Sequence, residues 1–497
     1  AASDVYKRQL HASPFNTRNI SYDHRPPAFS RIQLPRMANH TFQAPTGTRD
    51  FYPLDCAQRR VITQAWRTAS IRHGFDEVDG PTFEHADLYT VKSGEGILSE
   101  LFSFTRAGGE KMYALRPEFT PTLARMYASK AISLPKPTKW FCTPTFFRAE
   151  KPQRGRLREF LQWNLDIIGD PSPAADAELI ATCITLLASL GFTPADLRVK
   201  INHRAALSSW FSSRGITPED QIKILALLDQ KAKISSAEFA SKLAAFGFTP
   251  EMAEIFHKGL IRVELPEGAE TVTIAGQEVD RASVDPLPSS DAMDLTLFSE
   301  AVQPLAIALA AAGVIDWIDF DLSIVRGLAY YTGMVFEVHE ASGAERAVAG
   351  GGRYDNLIEL FGGPPTPAVG MGMGDVVLSL VMKDKGLMPD EATLVELAGL
   401  RPDVFVISNG NADNAVAPLV ASLRRAGLHA RHTYKTTKNV GKLLKEAADQ
   451  RAYLSIIIES ETLCTIKTMA TGAQQQAEIS EAVGVTRLLR STLGLPT

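Results

Sequence analysis

The sequence predicts a mixed α/β (α+β) chain of several domains, and three observations carry that prediction. Residues 146–166 run strand, loop, strand, with alternation on the way out: Phe160, Gln162, Asn164 and Asp166 share one parity, Leu161, Trp163 and Leu165 the other. Glycine clusters at Ala349-Gly-Gly-Gly-Arg-Tyr-Asp355 and Pro367-Ala-Val-Gly-Met-Gly-Met-Gly-Asp375 each stand between a strand-like and a helix-like stretch. The last hundred residues alternate apolar strands with helices, the pattern of a separate α/β domain.

Composition sets the limits. With 497 residues, 45% hydrophobic and 22% charged, the chain has material for roughly two to four domains. A formal charge of -4 provides no overall basic field, so any nucleic-acid contact must be local. Cys56, Cys142, Cys183 and Cys464 lie far apart without metal-ligand spacing, and reduced thiols in a cytosol-like compartment are the expectation. No apolar run approaches the roughly 18–20 residues of a membrane span.

The first 36 residues differ from the rest. Lys7, Arg8, Arg18, Arg25, Arg31 and Arg36 face only Asp4 and Asp23, prolines are scattered, and no periodic apolar face emerges. The segment is either an organellar targeting sequence or translated upstream sequence, and the absence of Met at position 1 favours the second. From Leu54 to Ala69 the apolar spacing predicts a helix, stopped by Gly74 and followed by a short strand at Phe75–Val78 and by Pro81. Tyr113-Ala-Leu-Arg-Pro-Glu-Phe-Thr120 reads as a strand ending in a proline turn, with a helix from Pro121 through Ala131. Glu118 and Thr120 at that junction offer a carboxylate for an ammonium group and a hydroxyl, or else a capping arrangement.

The hairpin at 146–166 comes next. Its return strand can bury Leu161, Trp163 and Leu165 while Gln162 and Asp166 face a site. Arg148, Arg154, Arg156 and Arg158 suit either a polyanion, which guanidinium forks bind with paired hydrogen bonds, or a basic surface hairpin. A helix at Ala174–Leu190 follows. Residues 201–315 read as a mostly helical insertion, with helices at 219–228, 236–246 and 250–258, a Val/Ile/Thr-rich segment at 270–279 and a polar joint at 284–291.

Strands resume at Ile318–Val325 and Met334–Val338. Gly370-Met-Gly-Met-Gly374 lacks the preceding βαβ context and the distant acidic residue of a dinucleotide fingerprint, and that reading is rejected. In the last hundred residues strands are expected at Asp403–Ile407, Leu428–His432 and Tyr453–Ile458, with helices at Ala412–Ala426 and Val440–Gln450. Lys435, Lys438, Lys442 and Lys445 beside Tyr434 form a basic strip, either a surface for phosphates or a solvated helix face.

Taken in order, these stretches resemble a class II histidyl-tRNA synthetase from about Gln43 to the C-terminus. Gly47-Thr-Arg-Asp-Phe-Tyr-Pro53 is similar to the family's opening segment, the helix–strand–Pro81 unit to its dimer-forming first motif, and Arg148–Asp166 to the second motif. Arg326-Gly-Leu-Ala-Tyr-Tyr331 and Gly351-Gly-Arg-Tyr-Asp355 resemble the two stretches peculiar to histidyl enzymes. The resemblance implies an antiparallel-sheet catalytic core (37–200 and 316–395) interrupted by the insertion (201–315), with a C-terminal anticodon-binding domain (398–497).

It also implies histidine–tRNA ligase activity: ATP-dependent activation of L-histidine and transfer to tRNA(His), in a cytoplasmic homodimer with no membrane contact, or in an organelle if the first 36 residues are a transit peptide. ATP with its Mg2+ would be held by Arg148 at the α-phosphate, Glu150 and Arg156 along the nucleotide, Phe160 against adenine, and Arg326 at the reacting carboxylate. Arg148 and Arg326 would be the catalytic pair. Glu118, Thr120 and Gln162 would hold the amino group of histidine, and Asp166 and Tyr331 its imidazole, with Tyr330 and Tyr354 completing the pocket. Gln153, Lys435, Lys438 and Lys442 would meet tRNA.

Three positions depart from the family pattern. Asp166 stands where most members carry Glu, Ala329 replaces an acidic residue, and Val377 replaces the third-motif arginine that stacks on ATP. The last leaves Arg148, Arg156 and Arg326 to hold the phosphates. The alternative is a non-catalytic, histidine-sensing subunit of ATP phosphoribosyltransferase. Such proteins generally lack the anticodon domain and have eroded second motifs, whereas both features stand in this sequence.

Overall fold

The helix expected from Leu54 begins one residue earlier, at Pro53, and runs to Arg72. Proline at its first position loses no hydrogen bond, because the first-turn amides have no intrahelical partner. Asp55 closes the start by accepting from the Tyr52 amide at 3.1 Å, and Gly74, at φ +72°, permits the reversal that ends it. Its buried stripe includes Ile62, Trp66 and Ala69. Trp66 stacks on Trp163 with ring centroids 6.4 Å apart, and the Trp163 indole donates to Ser70 Oγ at 2.9 Å.

This computed structural model describes residues 42–493 except 94, 232–233, 262–270, 275–276, 281–295, 326–330, 342 and 344–345. The 36-residue leader, the polar joint at 284–291, and Arg326 and Tyr330 therefore lie outside the described residues.

The helix packs on a ten-stranded sheet. Nine strands follow one another as Asp76–Glu77, Thr138–Cys142, Glu159–Ile168, Ala368–Gly374, Ala349–Arg353, Met334–Glu340, Leu197–His203, Ile318–Asp321 and Leu260–Ile261. The tenth, Thr145–Phe147, pairs with the start of Glu159–Ile168. Pairing is antiparallel except at Asp76–Glu77 with Thr138–Cys142 and at Leu197–His203 with Ile318–Asp321. The alternation read in the hairpin is realised: Trp163, Leu165 and Ile167 are at most 2% exposed and join the core formed with Pro53–Arg72 and Pro173–Ser189. The same core takes in Ile224, Phe239 and Phe256 from the three helices expected between 219 and 258, and Leu207, Trp210 and Phe211 from a further helix, Arg204–Ser213, that was not expected.

The strand Ala368–Gly374 shows what its glycines are for. Gly370 pairs with Asp166 and Gly372 with Asn164 on the return strand. A Cβ on Gly370 would stand 2.0 Å from Asp166 Oδ1, and one on Gly372 2.8 Å from Gln162 Nε2. Met371 and Met373 join the core instead. The Gly-Met alternation thus belongs to a central strand with one bare face, in keeping with the rejected dinucleotide reading.

A smaller antiparallel sheet, Phe83–His85, Met112–Leu115 and Ser103–Thr105, adjoins the helix Thr120–Ala128. The C-terminal region carries a five-stranded sheet in the order Ala430–His432, Val404–Ser408, Leu454–Ile458, Leu463–Thr468, Gln474–Glu478. Its first three strands are parallel and its last two antiparallel, so it is mixed. The helices Val416–Arg425, Val440–Asp449 and Ala482–Thr492 accompany it. Among the described residues no helix is long and apolar enough to cross a membrane.

Candidate active site

The hairpin supplies the floor of a cleft. Phe146 faces Phe160 across its two strands, and the arms are closed by the Arg148 amide donating to Arg158 O at 2.9 Å. At the tip, Gln153 and Arg156 exchange two backbone hydrogen bonds of 2.9 Å around Gly155, whose φ of +75° is the left-handed turn geometry that glycine takes without strain. The opening segment ties the loop down: Arg158 N donates to Gly47 O at 2.8 Å, and a Cβ on Gly47 would come within 2.8 Å of Pro152 and 2.9 Å of Arg158. Arg49 donates to buried Asp375 at 2.7 Å, and the other oxygen of that carboxylate accepts from the Leu161 amide at 2.9 Å. The chain's opening, hairpin and helix Asp375–Asp384 are thereby locked together.

Glu118, Thr120, Arg148, Gln162, Tyr331 and Tyr354 line one cleft, together with Asn164 and two neighbouring strands at Gly350 and at Gly370, Met371 and Gly372. Residues from four separate stretches expected to act on one amino acid and one nucleotide thus converge. Arg148 is aimed by its own surroundings: its Nε donates to Pro117 O at 3.1 Å, and its guanidinium lies 5.2 Å from the centre of the Phe160 ring. Arg116 holds the neighbouring turn, donating to Thr145 O at 2.9 Å, Asp79 at 3.0 Å and Gly80 O at 2.9 Å. Arg156 is ion-paired with Glu150 beyond Arg148 along the loop.

Asp166 is 4% exposed and lies behind the cleft wall. Tyr354, which does line the cleft, donates its hydroxyl to Asp166 Oδ1. Burial and the adjacent Asp166 charge push the Tyr354 phenol well above its ordinary value, so it remains a donor at neutral pH. A Cβ on Gly352 would stand 2.8 Å from the Tyr331 ring, so glycine there makes room for that tyrosine. The segment carrying Tyr354 is anchored by Arg353, which donates to buried Asp176 at 2.6 Å and 3.0 Å, to Asp170 O at 3.0 Å and to Ser172 O at 3.2 Å.

Sequence reasoning left several of these residues unclaimed. Asn164 shares the parity of Gln162 and Asp166 and was legible from it. The pairs Arg49–Asp375 and Arg353–Asp176 span 326 and 177 positions, and no local pattern announces them. Gln153 stands at the hairpin tip, away from the cleft lining, 3.5 Å from Arg346 Nη1. In the C-terminal region Lys435 pairs with Glu446 at 3.4 Å and Lys438 with Asp413, while Lys442 and Lys445 are exposed and Tyr434 is 86% exposed.

A profile described as Histidyl-tRNA synthetase matches residues 47–374. The chain belongs to the histidyl-tRNA synthetase family. A histidine–tRNA ligase of Halobacterium salinarum is 38% identical over 443 residues, covering 88% of this chain and 96% of the relative. Another of Opitutus terrae is 37% identical over 424 residues (85% and 92%). A chloroplastic/mitochondrial ligase of Arabidopsis thaliana is 32% identical over 442 residues (88% and 85%). The fold matches a crystal structure of apo histidyl-tRNA synthetase from S. aureus with a TM-score of 0.63 at 23% identity, over 90% of this chain and all of that one. Val377, which stands where the resemblance expects the third-motif arginine, joins the apolar core at 7% exposure.

Proposed function

We propose that the cleft activates L-histidine with ATP and passes the histidyl group to tRNA(His). The observation that carries this reading is the convergence of Glu118, Thr120, Gln162, Tyr331 and Tyr354 with Arg148 on one face of the sheet, backed by a buried carboxylate at Asp166.

In the first step a carboxylate oxygen of histidine attacks the α-phosphorus of ATP. The bond from that phosphorus to its bridging oxygen breaks, and pyrophosphate leaves with the electron pair. Histidine's carboxylate is nucleophile enough, so the protein's work is to position the reactants and to neutralise charge on a five-coordinate phosphorus. Arg148 serves the α-phosphate, held by Pro117 O and Phe160 rather than left to swing. Glu150 and Arg156 follow the nucleotide outward, and Phe160 offers a ring to adenine. Arg326 takes the reacting carboxylate, and Mg2+ arrives on the phosphates as part of the substrate. In the second step a terminal ribose hydroxyl of tRNA attacks the carbonyl carbon of the adenylate, and AMP departs.

Recognition of histidine rests on partners for every polar atom. Glu118 pairs with the ammonium, while Thr120 and Gln162 accept or donate beside it. The imidazole meets Tyr331, Tyr354 and the charge of Asp166, with Tyr330 completing the pocket. Another amino acid would leave these groups buried and unpaired, which supports discrimination of about 10⁴–10⁵ without editing. The shorter reach of Asp166 relative to the family's usual Glu is accommodated by Tyr354, which carries a hydroxyl from Asp166 to the cleft wall.

The C-terminal region serves anticodon binding in this reading, with Gln153 at the hairpin tip and Lys435, Lys438 and Lys442 toward phosphates, and the working unit is a homodimer. A fold neighbour described as an ATP phosphoribosyltransferase regulatory subunit/histidyl-tRNA synthetase from Bacillus halodurans has a TM-score of 0.64 at 19% identity, over 85% of this chain and 99% of that one. That likeness concerns the fold alone. The intact hairpin, with Arg148 held at the cleft and Arg156 paired to Glu150, favours the ligase. The test is charging: purified protein with ATP, Mg2+ and labelled histidine should esterify tRNA(His) and leave other tRNAs uncharged. Failure to charge any tRNA would contradict the proposal.

A further inference from the structure

Three arginines, Arg154, Arg156 and Arg346, stand at the hairpin tip where two carboxylates are available, and Arg154 is paired with Asp384 at 3.3 Å. Arg156 is ion-paired with Glu150. Arg346 comes from the connection between the strands Met334–Glu340 and Ala349–Arg353. A Cβ built on Gly155 would lie 3.2 Å from Val377 Cγ2 and 3.7 Å from Arg346 Cδ, so Arg346 and Val377 border the same hairpin glycine. Arg346 Nη1 lies 3.5 Å from Gln153 Oε1, and among the described residues no carboxylate is within ion-pairing distance of it. Four residues further along, Gly350 lines the cleft. Partial burial and the neighbouring Arg156 charge both pull the Arg346 guanidinium below its ordinary value, with Glu150 opposing. Like charges gathered in this way are unfavourable until an anion joins them.

We propose that Arg346 is a nucleotide-binding residue that grips the β- and γ-phosphates of ATP, supplying from a sheet connection the positive charge that Val377 does not supply from the helix. The proposal rests on the ligase reading and deepens it. Arg148 sits in the cleft where the α-phosphate would react, the Glu150–Arg156 pair lies farther out along the same loop, and Arg346 borders the loop's tip at Gly155. An extended triphosphate leading from Arg148 toward the tip would therefore present its tail to Arg156 and Arg346. There, three guanidinium forks against two carboxylates leave net positive charge for it. Arg346 is exposed on the surface and outside the core, so its removal leaves the packing intact.

The test compares ATP with AMP on the full chain. Binding of each nucleotide with Mg2+, and of histidine, is measured by calorimetry for the wild type, Arg346→Ala and Arg346→Lys. The alanine variant should lose about tenfold or more in ATP affinity, the worth of a charge-assisted hydrogen bond, while AMP and histidine stay within about twofold. Lysine, which keeps the charge and loses the fork, should fall between. ATP affinity unchanged in Arg346→Ala, or AMP falling in step with ATP, would overturn the proposal, because a merely structural arginine would not distinguish the two. Pyrophosphate exchange by the wild type is followed in parallel. Absence of exchange would remove the ligase reading while the ATP-against-AMP comparison still decides Arg346; a wild type that binds neither nucleotide would remove both.

Discussion

At the residue scale, the proposed histidine pocket turns on a carboxylate that does not itself line the cleft. Asp166 is buried, accepts from Tyr354, and is flanked by a strand whose Gly370 leaves it room. Asp166→Asn should weaken histidine about ten- to a hundredfold, the range of a hydrogen bond to a charged group, and leave ATP within about twofold. Equal loss of both in equilibrium binding would make Asp166 a structural residue. Gly370→Ala places a methyl where Asp166 Oδ1 now stands, at 2.0 Å, so the carboxylate must move. Histidine binding should drop by at least as much while the variant still folds, checked by circular dichroism beside calorimetry. The parity of the return strand made Gln162 and Asp166 legible from sequence, with Asn164 on the same face. The Tyr354–Asp166 hydrogen bond was not legible, since it joins residues 188 positions apart and leaves no periodic trace.

At the element scale, the strand Ala349–Arg353 owes its place to a buried ion pair. Arg353 is 6% exposed and Asp176 6%. Burial pushes the Asp176 carboxyl up to about 6, against the pull of Arg353. Arg353→Met leaves that carboxyl without its cation and should cost about 3–5 kcal/mol in urea unfolding near neutral pH. The pH dependence has a definite sign. A carboxyl whose folded pKa exceeds its unfolded value weakens the fold increasingly as pH rises from the unfolded to the folded pKa. In the wild type that decline ends at about 6. In the variant it continues higher, so the stability gap should widen between about pH 6 and pH 8; a constant gap would contradict the assignment. Elements with a local signature were readable: the hairpin from its alternation, the helix Pro53–Arg72 from its spacing and Gly74, and three of the five C-terminal strands (Val404–Ser408, Ala430–His432 and Leu454–Ile458) from their apolar residues. The strands Thr138–Cys142, Phe83–His85, Leu463–Thr468 and Gln474–Glu478 were not, since polar residues break up any apolar run in them, and Ile318–Asp321 stops early because Asp321 accepts from the Ser323 amide at 2.9 Å and turns the chain.

At the scale of the whole molecule, the fold and the proposed chemistry meet in one arrangement: a mixed, mainly antiparallel sheet whose bare glycine strands open a cleft between the hairpin and the helix Thr120–Ala128. The sheet could be foreseen as a class because strand and helix periods differ in the sequence, whereas its order joins strands from residues 76 to 374 and is written only in the packing. The missing arginine at Val377 was legible as an absence; Arg346 beside it became visible only when two distant loops were brought to Gly155. The central claim is that this cleft makes histidyl-adenylate. Exchange of labelled pyrophosphate into ATP by the purified chain tests it most directly. Exchange that requires histidine, and that other amino acids fail to support, is the predicted result; histidine and ATP both binding with no exchange would contradict it.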